Sequence, residues 1–201
     1  MSKRVYISAD YSEVSGDRDV ISVLHCWAFD NLHKVDFVDM AQVYSGSVAQ
    51  SPDCRVCDLK EEFNRQINAS STVIFIIGDK TASRLAGSNC KRNRNVLCSC
   101  TPYKQNVNGS KVCKHNSVVD APIDGDIGYI NQFSYLQHEF LQAVRRNKQI
   151  IIVFNSTRKE SSWLPSYMEG FENVARPFWV LNSKGEKVGD YEYFKQTLGF
   201  M

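Results

Sequence analysis

At 201 residues, 43% hydrophobic and 23% charged, the chain has the make-up of one globular domain with a sizeable core. Its formal net charge of +2 is too small to argue for nucleic acid or an anionic membrane as partner. The longest apolar runs, "VIFII" and "IIIVF", are strand-sized and far short of a spanning helix; "KRVYIS" begins without an apolar leader, so a cytoplasmic protein is expected.

Taken in chain order, "RVYIS" is a short, β-rich, buried strand over 4–8. Asp17 or Asp19 is placed to cap a helix running to about residue 32, with Val20, Leu24, Trp27 and Ala28 on one stripe. "VDFVD" is the second strand, over 35–39. A second helix follows, with Asp58 and Glu61 at capping-box spacing and Leu59, Phe63 and Ile67 as its apolar face. The third strand, within "STVIFIIGD", is apolar without alternation, as a strand covered on both faces should be.

Periodicity then fails over 82–130, a span too long for a plain loop, which reads as an insertion within a single domain of residues 1–201. It carries Cys90, Cys98, Cys100, Cys113 and His115, which offer enough ligands for zinc but match no specific zinc spacing; zinc and free thiols both stay open, and no metal is assigned to the site. The odd count of seven cysteines argues against a disulfide framework.

"FSYLQHEFLQAVRRNKQIIIVF" then reads as a helix entering a fourth strand over 150–154. Phe133, Leu136, Phe140 and Val144 form the apolar stripe, and Glu139 falls about 120° from its centre at about 100° per residue, neither core nor fully solvent-facing. "SSWLPSYMEGF" suggests a lid or short helix around Pro165, "PFWVL" a fifth strand over 177–181, and 191–198 a last helix.

Strands alternating with helices imply an α/β fold, a flavodoxin-like doubly wound sheet of five parallel strands with the insertion ahead of the helix carrying Glu139. Ligands in such sheets sit beyond the carboxyl ends of the strands, which nominates Ser8, Asp10, Tyr11, Asp39, the Gly78-Asp79 pair and the residues after Phe154. There is no glycine fingerprint for a dinucleotide after the first strand, no Walker motif and no nucleophile elbow.

The order of the motifs resembles TIR-like (Toll/interleukin-1 receptor-like) domains, and among them the bacterial TIR-like proteins of Thoeris antiviral defence. "KRVYISADYSEV" resembles their first strand and loop, "VDFVD" their second strand, and "VIFIIGDKTASR" their third. "YLQHE" matches their helix motif, in which an aromatic residue stands four positions before a catalytic glutamate, here Tyr135 and Glu139. "RRNKQIIIVF" resembles the helix end and fourth strand. The common family form has Trp-Cys where this chain has Tyr135-Leu136.

The resemblance implies cleavage of the nicotinamide–ribose bond of NAD, with NAD as substrate and no further cofactor. Glu139 would be the catalytic carboxylate, with Ser8, Asp10, Tyr11, Asp39 and Tyr135 lining the pocket. It also implies an ADP-ribose-derived product, cyclic or conjugated, read by a downstream effector, and it allows a homo-oligomer. Two alternatives stand beside it: a non-catalytic TIR-like interaction module, and a flavodoxin-like nucleotide or flavin binder.

Overall fold

A computed structural model describes residues 3–10, 16–29, 35–39, 52–84, 103–105, 111–113 and 134–200. Tyr11, the 40–51 segment and almost all of the 82–130 insertion lie outside the described residues, as do Cys90, Cys98, Cys100 and His115.

Five strands, β1 (Lys3–Ser8), β2 (Val35–Asp39), β3 (Thr72–Ile77), β6 (Gln149–Phe154) and β7 (Arg176–Pro177), form one sheet in the order β2-β1-β3-β6-β7. Every pairing in it is parallel. With the intervening hairpin β4 (Tyr103–Gln105) and β5 (Lys111–Cys113) set aside, this is the 2-1-3-4-5 order of flavodoxin-like folds. β3 and the last four residues of β6 are fully buried, which is why both read as unbroken apolar runs.

Helices cover both faces. On one, α1 (Arg18–Trp27) and α4 (Tyr191–Thr197) close over Val5, Ile7, Ile74, Ile76, Ile151 and Val153. On the other, α2 (Pro52–Ala69) and α3 (Tyr135–Arg145) close over Tyr6, Val73, Phe75, Ile77, Ile152 and Phe154. The period-two alternation of each strand thus sorts its side chains between two cores.

The boundaries differ from the sequence pattern in four places. α1 ends at Trp27 rather than near residue 32. α2 starts at Pro52, so Asp58 and Glu61 lie inside the helix rather than at its cap; a proline fits the first helical turn, where its missing N–H is not needed. The fifth strand is only Arg176–Pro177. The chain then leaves the sheet, and β8 (Trp179–Leu181) pairs antiparallel with β9 (Lys187–Gly189) around a turn in which Gly185 takes φ +78°. The segment between β6 and β7 is two short 3-10 turns, Ser161–Trp163 and Ser166–Met168, on either side of Pro165. Among the described residues, no helix is long and apolar enough to cross a membrane.

Candidate functional site

The carboxyl end of β1 sets the site. Val5 and Ile7 point to the α1 face, so Tyr6 and Ser8 point to the α2–α3 face. Both carry hydroxyls, and both are buried. α3 packs over them. It begins at Ser134, whose side chain caps it by accepting from the Gln137 amide at 2.9 Å. Glu139, in its second turn, meets the strand: the Tyr6 hydroxyl donates to Glu139 Oε1 at 2.7 Å, and the Ser8 hydroxyl donates to Oε2.

Glu139 is only 4% exposed, so it is deeper than its place on the helical wheel implies. The reason is that α3 is covered on two sides, by the sheet and by α2. His138 and Gln142 are buried as well, and they meet α2 through hydrogen bonds to Asn64 (3.0 Å) and Asn68 (2.9 Å). A second, polar stripe is therefore buried next to the apolar one.

Burial is the dominant influence on Glu139 and pushes its pKa up to about 7; the Ser8 and Tyr6 hydrogen bonds pull the other way without cancelling it. Among the described residues no cation pairs with it. Tyr167 stands nearby, its phenol pushed up to about 12 by burial, with the charge of Glu139 adding to the effect. The Ser134 hydroxyl reaches the Tyr167 oxygen at 3.5 Å, so the turn after Pro165 is held against the start of α3. A carboxyl group titrating near neutrality, fixed by two neutral hydroxyls, can move a proton or face a developing positive charge.

The other sequence-nominated residues are distributed around this carboxylate rather than gathered on it. Tyr135 packs edge-on against Phe63, with centroids 5.4 Å apart, on the same face of the sheet as Glu139. Asp10 forms an ion pair with Arg84 at 2.8 Å, tying the loop after β1 to the turn after β3. Asp39 is buried and bonds His25 of α1. It continues the Val35–Phe37 alternation, so it lies on the face opposite Glu139, and the structure does not bring the two together.

A polar cavity of about 460 Å³ opens at the same edge of the sheet, among Asp17, Gly78, Asp79, Lys80, Asn155 and Trp163; Glu139 does not line it. Asn155 is its hub. Its amide nitrogen donates to Asp17 Oδ1 and Asp19 Oδ1, both at 3.0 Å, and its oxygen accepts from the Trp179 indole at 2.6 Å. Asp17 stands at the N-cap position of α1, yet its side chain does not cap the helix. It is 2% exposed, its Oδ2 has no hydrogen-bond partner among the described residues, and burial pushes its pKa up to about 7.

The carboxylate of Asp17 can lie there only because residue 78 is glycine. A Cβ on Gly78 would fall 2.7 Å from Asp17 Oδ1. Gly78→Ala is expected to lower the unfolding free energy by about 1–3 kcal/mol through this overlap, read by urea denaturation. An unchanged midpoint would mean that Asp17 has room to retreat.

No family model matches the chain, and no curated protein does. Among solved structures, the crystal structure of a prokaryotic SEFIR domain aligns with 98% of this chain and 94% of its own, at 13% identity and a TM-score of 0.40.

Sequence reasoning nominated Glu139, Ser8, the edge around Gly78 and the residues after Phe154, of which Asn155 is the first, but missed Tyr6, Tyr167 and Asp17 as site neighbours. For Tyr6 the signal was present: in a strand buried on both faces, two hydroxyl-bearing residues at i and i+2 need a polar partner on one face. Asp17 read as a helix cap, because residue type and position fit that role equally well.

Proposed function

We propose that this chain is a TIR-like NAD-processing enzyme that cleaves the nicotinamide–ribose bond, with Glu139 as its catalytic carboxylate. The observation that carries the reading is the state of Glu139: buried at the carboxyl edge of a flavodoxin-like sheet, anchored by Tyr6 and Ser8, and without a cation partner among the described residues. A carboxylate kept in that condition costs stability and is suited to a cationic ligand.

The chemistry needs one such group. The nicotinamide of NAD+ is a pyridinium, so it departs as a neutral molecule, taking the electron pair of the broken C–N bond onto its ring nitrogen. No general acid is required. Positive charge develops at the anomeric carbon, where an ionised Glu139 lowers its energy. Water, or a nucleophile within the same molecule, then bonds that carbon; with water, the released proton passes to Glu139 or to solvent. The ADP-ribose-derived product, linear or cyclised, would serve as a signal to an effector in bacterial antiphage defence. The resemblance of "YLQHE" and the four strand motifs to TIR-like domains supports this assignment.

Incubating the purified chain with NAD+ and separating the products by chromatography tests it. Free nicotinamide together with an ADP-ribose species is expected, from the protein alone or after addition of phage-infected lysate. Absence of both products under both conditions overturns the reading in favour of a TIR-like interaction module.

A further inference from the structure

We propose that Tyr6 is a positioning residue for Glu139: its phenol, acting with the Ser8 hydroxyl, pins the carboxylate and favours its charged form against the cost of burial. The inference rests on the reading above for what Glu139 does, and on geometry for how it is held.

Tyr6 lies in the middle of β1, paired with Val38 on one side and Val73 on the other, and is 0% exposed. Its ring cannot swing away without opening the sheet. Its hydroxyl donates to Oε1 at 2.7 Å, and the Ser8 hydroxyl, two residues along on the same face, donates to Oε2. Each carboxylate oxygen thus has its own donor, and both donors stand on one rigid strand. The helix brings the charge, and the strand fixes its orientation.

The groups that face Glu139 leave no other source of stabilisation among the described residues. β1 supplies Tyr6 and Ser8, and the turn after Pro165 supplies Tyr167, a neutral phenol. On α3 itself His138 is turned to Asn64 of α2, and on α2 the Arg65 guanidinium is taken by Glu62. β3 contributes only apolar side chains to this face. Among the described residues, two hydroxyls therefore oppose the desolvation of the carboxylate. A hydrogen bond to a charged group is roughly twice as strong as one between neutral groups, so losing one should raise the ionisation midpoint of Glu139 by about one pH unit.

Tyr6→Phe keeps the ring and its packing and removes only the donor. Infrared difference titration reads the result without any assay of activity: the protonated carboxyl band of Glu139 is identified by its absence in Glu139→Gln. In Tyr6→Phe that band should persist to a pH about one unit higher than in wild type, and Ser8→Ala should move it in the same direction. The acid limb of NAD+ cleavage should shift by the same amount, so that activity falls several-fold at pH 7 and recovers at pH 9. An infrared midpoint that both variants leave at the wild-type value overturns the proposal. A shifted midpoint in a protein that cleaves no NAD+ at any pH leaves Tyr6 as the group that sets Glu139 and refutes the NAD reading instead.

Discussion

Glu139→Gln is expected to abolish nicotinamide release from NAD+ and, at pH 8, to make the protein more stable. The loss should be on the order of a hundredfold or more, the usual cost of removing an electrostatic partner from a charge that forms in the transition state. Glutamine keeps the size and can still accept from Tyr6, but it brings no charge to the anomeric carbon. The gain in stability has the same origin. In wild type at pH 8 the folded chain must hold an ionised carboxylate that is 4% exposed and has, among the described residues, only two neutral donors. Replacing it with a neutral amide removes that desolvation cost, on the order of 3 kcal/mol for a group pushed from 4.5 to about 7. A residue retained for packing alone would show the reverse, lower stability with activity intact. Product chromatography and urea denaturation on the same preparation check both halves; full activity in the variant removes Glu139 from the chemistry.

The parts of this fold that were legible in the sequence are those where one physical requirement dominates. "TVIFII" is buried on both faces, as a central strand of a parallel sheet is, and its unbroken run reflects that. α4 begins where Asp190 can accept from the Tyr193 amide at 3.1 Å, and α1 buries the Val20–Leu24 stripe that its spacing implies. Legibility failed where two requirements compete at one position. "PFWVL" has strand composition throughout, but the pairing partner changes after Pro177: the Phe178 amide still bonds Phe154 and the Trp179 amide bonds Ser156, after which Val180 and Leu181 face β9 instead. Composition does not encode which strand is the partner. Glu139 is a similar case. A helical wheel describes a helix with one buried face, whereas α3 is buried by β1 and α2 together, and the polar residues between those contacts cannot be ranked without the tertiary structure. Asp39 fits the rule that ligand-binding residues follow the strands, yet its parity on β2 sends it to His25. The rule fixes the edge of the sheet, while the face depends on register.

The unfolding free energy of the wild-type chain should fall between pH 5 and pH 8, against the common expectation that proteins with paired carboxylates gain stability as acid is removed. Two buried carboxyl groups set the sign. Burial pushes Glu139 from 4.5, and Asp17 from 3.8, to about 7 in each case. Between those limits the folded chain retains protons that the unfolded chain releases, so unfolding is favoured as pH rises. Their contribution is complete below the unfolded values and is lost as pH passes through about 7. Over the interval from pH 5 to 8 each group should account for a loss on the order of 2–3 kcal/mol. Glu62 runs in the opposite sense: burial pushes it up, but hydrogen bonds from Arg65 and Gln66 outweigh that and hold it below its ordinary 4.5, so its contribution is lost only in more acidic solution. The two sites lie on different elements and share no hydrogen-bond partner among the described residues, so their effects should add. Urea denaturation of wild type, Asp17→Asn, Glu139→Gln and the double variant at pH 5 and 8 measures this directly. Each single variant should recover its own share at pH 8, and the double variant should be nearly flat. Parallel profiles for all four proteins would show that neither carboxyl is held protonated by the fold. The Glu139 share should shrink further when NAD+ is present, because a cationic ring beside the carboxylate favours its ionised form.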